Sequence, residues 1–118
     1  MQDTIVALKR GLTEILALKL LMEGEQYGYQ IVRLIKERSD GNITLTEGAL
    51  YTTLYRLESN GYVESRLVLT GKKRQRRYYK LTKAGQKYIT KEIEKYVQLT
   101  KGVLSIVESD SKAASKKG

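Results

Sequence analysis

Six cations fall within nine residues of this chain: Lys72, Lys73, Arg74, Arg76, Arg77 and Lys80. No acid interrupts the stretch from Ser65 to Tyr88. A turn kept soluble by charge usually mixes signs, and this one does not. Positive charge on a projecting loop is what contact with a phosphodiester backbone requires. Such a loop can track phosphates or lay an arginine in a minor groove. The cluster specifies a polyanion but carries no information about which sequence is read.

A second set of residues lies just upstream, on a helix expected to begin at the N-cap Thr46 and run to about Ser59, ahead of Asn60-Gly61. Glu47 suits the positive end of its dipole. At helical spacing Leu50, Leu54 and Leu57 share one side. The other side collects Gly48, Thr52, Tyr55, Arg56 and Ser59, with Tyr51 on the flank. Solvation alone would favour Lys and Glu there. A small, polar, tyrosine-bearing face suits close approach to a ligand surface. Thr52 can hydrogen-bond or offer a methyl to thymine, Arg56 can take guanine or phosphate, and Tyr51 can reach a phosphate. Gly48 removes a side chain where the helix could approach closely. The plainer readings are core-edge packing for Tyr51 and a tolerated weak helix position for Gly48.

Composition narrows the chemistry. The chain has 118 residues, suited to one small domain. Its 22 Lys+Arg against 13 Asp+Glu leave a net charge of +9, which favours an anionic partner, nucleic acid or membrane surface. It contains no Cys and no His, so thiol nucleophiles, imidazole catalysis, disulfides and the usual zinc ligand sets are excluded. No metal and no cofactor is expected. Glu14, Glu58 and Glu64 are scattered without a partner suited to acid/base work, and no glycine-rich phosphate loop is present, so no enzyme is expected. No apolar run approaches the roughly 18 residues of a membrane span. The N-terminal MQDTIVALKRG has an early acid and no sustained apolar core, and a cytoplasmic location is expected. All nine aromatics are Tyr, so several should sit at boundaries where the hydroxyl finds a partner.

The elements that position these residues follow from periodicity. A first helix is expected over about Thr4 to Met22, apolar almost all round in its later half and therefore buried between layers. Gly24 suits its left-handed cap. Gly28 to Arg38 reads as a second helix with Ile31, Leu34 and Ile35 inward. Ile43 to Leu45 could form a very short strand. Tyr62 to Leu69 reads as a strand with Val63, Leu67 and Leu69 on one face, and Arg77 to Leu81 as its return with Tyr79 and Leu81 inward. Thr82 caps a last helix from Lys83 to about Val107 or Glu108. Its apolar positions Ile89, Ile93, Tyr96, Val103 and Val107, with Thr100 between, are spaced like heptads and ask for a partner helix. Packing back onto the first helix is the alternative, but that helix is too short to cover the length. The tail, 109–118, is polar and expected to be disordered.

At these residues the chain resembles the PadR family of bacterial winged-helix transcriptional regulators. The matching pieces are Gly48-Ala49-Leu50-Tyr51, Arg56-Leu57-Glu58, Gly61-Tyr62-Val63, and Arg76-Arg77-Tyr78-Tyr79-Lys80-Leu81-Thr82 with Gly85. Upstream, Tyr27-Gly28-Tyr29-Gln30-Ile31 resembles the opening of the family's second helix. The match covers about residues 8 to 108. Many relatives carry Pro after the recognition-helix Tyr; Thr52 stands here, as in the short subgroup with one C-terminal helix. The resemblance implies a homodimeric repressor joined through its first and last helices, with Tyr51 and its neighbours at DNA and Lys72 to Arg77 in the wing. It also implies an apolar effector pocket between protomers with Tyr96 as its aromatic wall; packing in the dimer seam is the other role for Tyr96.

The combined expectation is a mainly α chain with a small β-hairpin, a winged helix-turn-helix followed by a long dimerisation helix. Residues 1–82 form the DNA-binding domain with its N-terminal helix, and 83–108 the dimerisation helix. Contact with double-stranded DNA, at a palindromic operator, is expected from Gly48, Tyr51, Thr52, Tyr55, Arg56, Lys72, Lys73, Arg74, Arg76 and Arg77. Dimerisation is expected through Leu8, Ile89, Ile93, Tyr96, Val103 and Val107. Leu12, Ile15, Ile93 and Tyr96 are the expected surroundings of a small hydrophobic or cationic effector. The competing reading is a non-catalytic winged-helix module that binds protein, or DNA without sequence choice.

Overall fold

The computed structural model describes residues 11–109 in full and, for 2–10 and 110–117, only their course in the terminal helices. Leu8 and nearly all of the tail expected at 109–118 therefore lie outside the fully described residues. The elements in order are α1 (Gln2–Leu21), β1 (Gln26–Tyr27), α2 (Gly28–Arg38), α3 (Glu47–Ser59), β2 (Val63–Leu69), β3 (Gln75–Leu81) and α4 (Lys83–Lys117). This is the expected winged-helix arrangement with a long C-terminal helix.

The core explains the apolar run of α1. Ala17, Leu18, Leu20 and Leu21 are buried, and α1 packs against α2, α3 and α4 together. Leu18, Ile31, Leu50, Leu54, Leu57, Val63 and Ile89 are the largest fully buried side chains. Truncating any one of these leucines to Ala leaves a cavity that costs about 2–5 kcal/mol. Ile89, expected on the seam between protomers, is 0% exposed within its own protomer. The first turns of α4 rest on the head, so this position belongs to the protomer's core and not to the seam.

The sheet departs from expectation in two ways. It has three antiparallel strands in the order β1-β3-β2. The small extra strand is Gln26–Tyr27, paired as Gln26↔Tyr79 and Tyr27↔Tyr78. Ile43 to Leu45 form no strand. Ser39 Oγ accepts from the Ile43 amide at 2.9 Å, so that amide is already satisfied locally. Ile43 and Leu45 pack on the core as side chains instead. Second, of the β2 residues expected inward, Val63 is buried but Leu67 and Leu69 are 53% and 69% exposed. The hairpin runs past the edge of the core, and alternation along a strand names a face without supplying anything to cover it.

Two junctions set the angles between elements. α3 ends in paired bonds, Tyr62 N–H to the Leu57 carbonyl and Gly61 N–H to the Glu58 carbonyl, both 3.0 Å. This reversal places Gly61 at φ 82, which favours glycine. Thr82 then ties the start of α4 to the same turn. Its amide donates to the Tyr62 carbonyl at 3.1 Å, its hydroxyl donates to the Gly61 carbonyl at 2.6 Å, and that hydroxyl accepts from Gly85 N–H at 3.0 Å. A side chain at Gly85 would run into the Tyr62 carbonyl. The last helix is therefore mounted on the end of the third.

Candidate nucleic-acid interface

Thr46 accepts from the Ala49 amide at 3.1 Å and caps α3 as expected. The cap opens the helix beside the wing. Gly48 is exposed, with open space where a side chain would stand. Tyr51 is 39% and Tyr55 75% exposed, and Thr52 lies between them on the surface. The Thr52 hydroxyl donates to the Gly48 carbonyl at 3.0 Å. Its one donor is thus engaged within the helix, and it faces a ligand as an acceptor and a methyl group.

Arg56 is set apart from this group. Its guanidinium turns back toward α1, with Nη2 at 3.6 Å from Glu14 Oε2, and that nitrogen is buried without a hydrogen bond. The same carboxylate accepts from the Tyr88 hydroxyl at 2.7 Å. The Tyr88 ring in turn stacks on Tyr62, with centroids 4.2 Å apart and planes at 7°. Arg56 so placed stitches α1, α3 and α4. The outward face of α3 is left almost uncharged.

The wing cations divide into three groups. Lys72, Lys73 and Arg74 form the tip, closed by Thr70 N–H to the Arg74 carbonyl at 2.9 Å. Among the described residues none of these three has an acidic partner. Arg77 donates to Ser65 Oγ at 3.0 Å, and Ser65 donates to Glu58 at 2.7 Å, which steers the guanidinium along the wing. Arg76 lies over the Tyr27 ring at 4.3 Å, and Tyr27 meets Tyr78 edge-on at 5.3 Å. Elsewhere on the hairpin positive charge is offset: Arg66 makes a two-pronged pair with Glu25 at 2.6 and 2.9 Å, and Lys80 lies 3.3 Å from Glu64 across the strands. The Arg66 guanidinium holds the Glu25 carboxyl below the usual carboxylate range. Among the described residues, charge without an acidic partner is thereby left to the tip and to Arg76 and Arg77 beside it.

Between these parts lies a cleft of about 240 Å³ lined by Tyr27, Tyr29, Glu47, Tyr51, Gln75, Arg76 and Arg77. It joins the start of α2, the start of α3 and the wing. Burial first, and Glu47 second, push the Tyr51 hydroxyl's pKa up, so it stays protonated and able to donate. Tyr27, Tyr29 and Gln75 were not reached by reasoning from helix faces and charge. Their sequence signal was the tyrosine pair flanking Gly28. The residues expected around an effector, Leu12, Ile15, Ile93 and Tyr96, are all partly buried, and Ile15 and Ile93 pack against the core. Val103 and Val107 are 50% and 63% exposed on α4.

A recognition-type helix beside a basic hairpin, on a helical base, defines a winged-helix protein. Residues 17–91 match the transcriptional regulator PadR-like family. The chain belongs to that family. It is similar to a transcriptional regulator from Clostridium thermocellum, with 36% identity over 89% of this chain and 94% of that one and a TM-score of 0.71. A PadR family transcriptional regulator from Eggerthella lenta is 30% identical over 91% of each chain, with a TM-score of 0.70. PadR of Bacillus subtilis, solved in complex with operator DNA, is 26% identical over 68% of this chain and 45% of that one, with a TM-score of 0.64. No helix among the described residues is long and apolar enough to cross a membrane.

Proposed function

We propose that this protein is a cytoplasmic, homodimeric repressor that binds double-stranded DNA at a palindromic operator and catalyses no reaction. The observation that carries this reading is the pairing of a small, tyrosine-bearing face on α3 with a wing tip whose three cations lack acidic partners among the described residues. Gly48, Tyr51, Thr52 and Tyr55 enter the major groove, where Thr52 and Tyr55 meet base edges and Tyr51 a phosphate. Lys72, Lys73 and Arg74 hold the flanking backbone, and Arg76 and Arg77 support them from the base of the wing. Membership in a family of transcriptional regulators, one of them solved with operator DNA, supports the same reading. Two heads joined by α4 would read half-sites about one helical turn apart. A small hydrophobic or planar cationic effector, lodged beside Leu12, Ile15, Ile93 and Tyr96, would release the DNA.

The test starts from DNA selected out of a random pool and compares it with scrambled DNA. Replacing Thr52 and Tyr55 together by Ala should cost about 1–3 kcal/mol on selected DNA and leave scrambled DNA bound as before. Equal binding of selected and scrambled DNA by the unaltered protein would instead establish a module without sequence choice.

A further inference from the structure

A tyrosine on the surface of a recognition helix can turn in several directions, and only some point toward a ligand. The direction of Tyr51 is set from outside its own helix. Gly28, the first residue of α2, is buried. A Cβ placed there would stand 2.6 Å from Tyr51 Cζ, 2.7 Å from its hydroxyl oxygen and 2.9 Å from Cε1. All three atoms belong to the far end of the ring. The phenol therefore lies directly on the bare backbone of Gly28.

The backbone itself does not demand glycine at this position. Among the described glycines, those with positive φ are Gly24, Gly41 and Gly61, and Gly28 is not one of them. Glycine is also a poor residue within a helix. Gly48, on the same proposed DNA surface, has nothing within 4 Å of a built Cβ. What Gly28 provides is space, and the three atoms nearest to a built Cβ there all belong to Tyr51. Seated there, the ring lines the cleft with Arg76, Arg77 and Gln75.

We propose that Gly28 is a positioning residue for DNA recognition, a seat without a side chain that holds the Tyr51 phenol against the start of α2 so that its hydroxyl meets a backbone phosphate. The inference rests on the DNA-binding reading above. A methyl group at position 28 pushes out the far end of the ring, which can swing, and leaves the helical backbone in place. The effect of Gly28→Ala on binding should then pass through Tyr51, whose ring is nearest to the added methyl.

A double-mutant cycle tests this on the full-length protein, with selected DNA as the probe. Gly28→Ala should weaken binding about tenfold, Tyr51→Ala at least as much, and the double variant no more than Tyr51→Ala alone. The seat is overturned if Gly28→Ala binds like the unaltered protein, or if it costs as much without the tyrosine as with it. A second reading needs no DNA. The ring-proton resonances of Tyr51, assigned by their loss in Tyr51→Ala, should shift in Gly28→Ala while those of Tyr62 and Tyr88 stay in place. Unshifted Tyr51 resonances overturn the proposal even where DNA binding itself fails. If Gly28→Ala does not fold, recovery of the fold in the double variant supports the seat, and failure of both variants to fold overturns it.

Discussion

Glu14 shows how much one carboxylate can organise. It accepts from Tyr88 on α4 at 2.7 Å and faces Arg56 on α3 at 3.6 Å. The hydrogen bond to Glu14, followed by burial, drives the Tyr88 hydroxyl's pKa well above its ordinary value. Neither partner is fully enclosed, so the gain is smaller than for a deeply buried charged pair. Tyr88→Phe keeps the stack on Tyr62 and removes only the donor. It should lower stability by about 1–2 kcal/mol near neutral pH, toward the lower end for a hydrogen bond to a charged group. The pH dependence follows from the direction of the shift. A phenol whose folded pKa lies above its unfolded one stabilises fully below the unfolded value, near 10, and progressively less as pH rises toward the folded value. Urea titrations at pH 7 and above pH 10 should show the gap between wild type and Tyr88→Phe closing in alkali. A gap that is absent at pH 7, or constant with pH, would mean that the bond does not form.

The proposed function divides affinity and discrimination between different elements. The outward face of α3 carries almost no charge, because Arg56 turns inward. The wing tip holds Lys72, Lys73 and Arg74 without acidic partners, whereas Arg66 and Lys80 are neutralised beside Glu25 and Glu64. Those exposed pairs are screened by solvent and add little to stability. Their consequence is to leave the free positive charge of the hairpin to the tip and to Arg76 and Arg77 beside it. Each phosphate neutralised contributes about 0.9 to the slope of log affinity against log salt. Replacing the three tip residues by Ala should therefore reduce that slope by about 2–3, with selected and scrambled DNA affected alike. Binding measured across a range of salt concentrations checks it. An unchanged slope would move the phosphate contacts elsewhere on the protein.

At the scale of the molecule, α4 dominates. The chain extends 68 × 27 × 26 Å, and the head covers only the first turns of that helix. Beyond them Leu99, Val103, Leu104, Ile106 and Val107 are 48–66% exposed. A contiguous apolar stripe of this kind is unusual on a monomer and calls for a partner. A second copy of α4 offers the same stripe. Val103→Glu with Val107→Glu should yield monomers by sedimentation, with the melting of the head unchanged. Affinity for a palindromic site should then fall about a hundredfold, the gain that linking two binding modules commonly brings. A dimer that survives both changes, or a monomer that binds as tightly, would refute the arrangement.

Local features were legible in the residues alone because local chemistry decides them. The Thr46 cap, the bounds of α2, the Gly61 reversal and the acid-free wing loop each depend on a few adjacent residues. The long apolar stripe of α4 depends only on periodicity. Everything that required a distant partner was decided by tertiary structure. The third strand formed at Gln26–Tyr27, on the edge of β3 that β2 leaves free, and not at Ile43, whose amide Ser39 satisfies locally. Arg56 left the outward face because Glu14 waits on α1. Ile89 sank into the protomer because the base of α4 rests on the head, while Leu67 and Leu69 stayed exposed because the hairpin outruns the core. The six cations that opened the sequence were visible from the start. Which of them stand free was decided by tertiary pairing: Lys80 lies 3.3 Å from Glu64 across the strands, while the other five have no acidic partner among the described residues. Periodicity can give a residue its face, and only packing decides what that face meets.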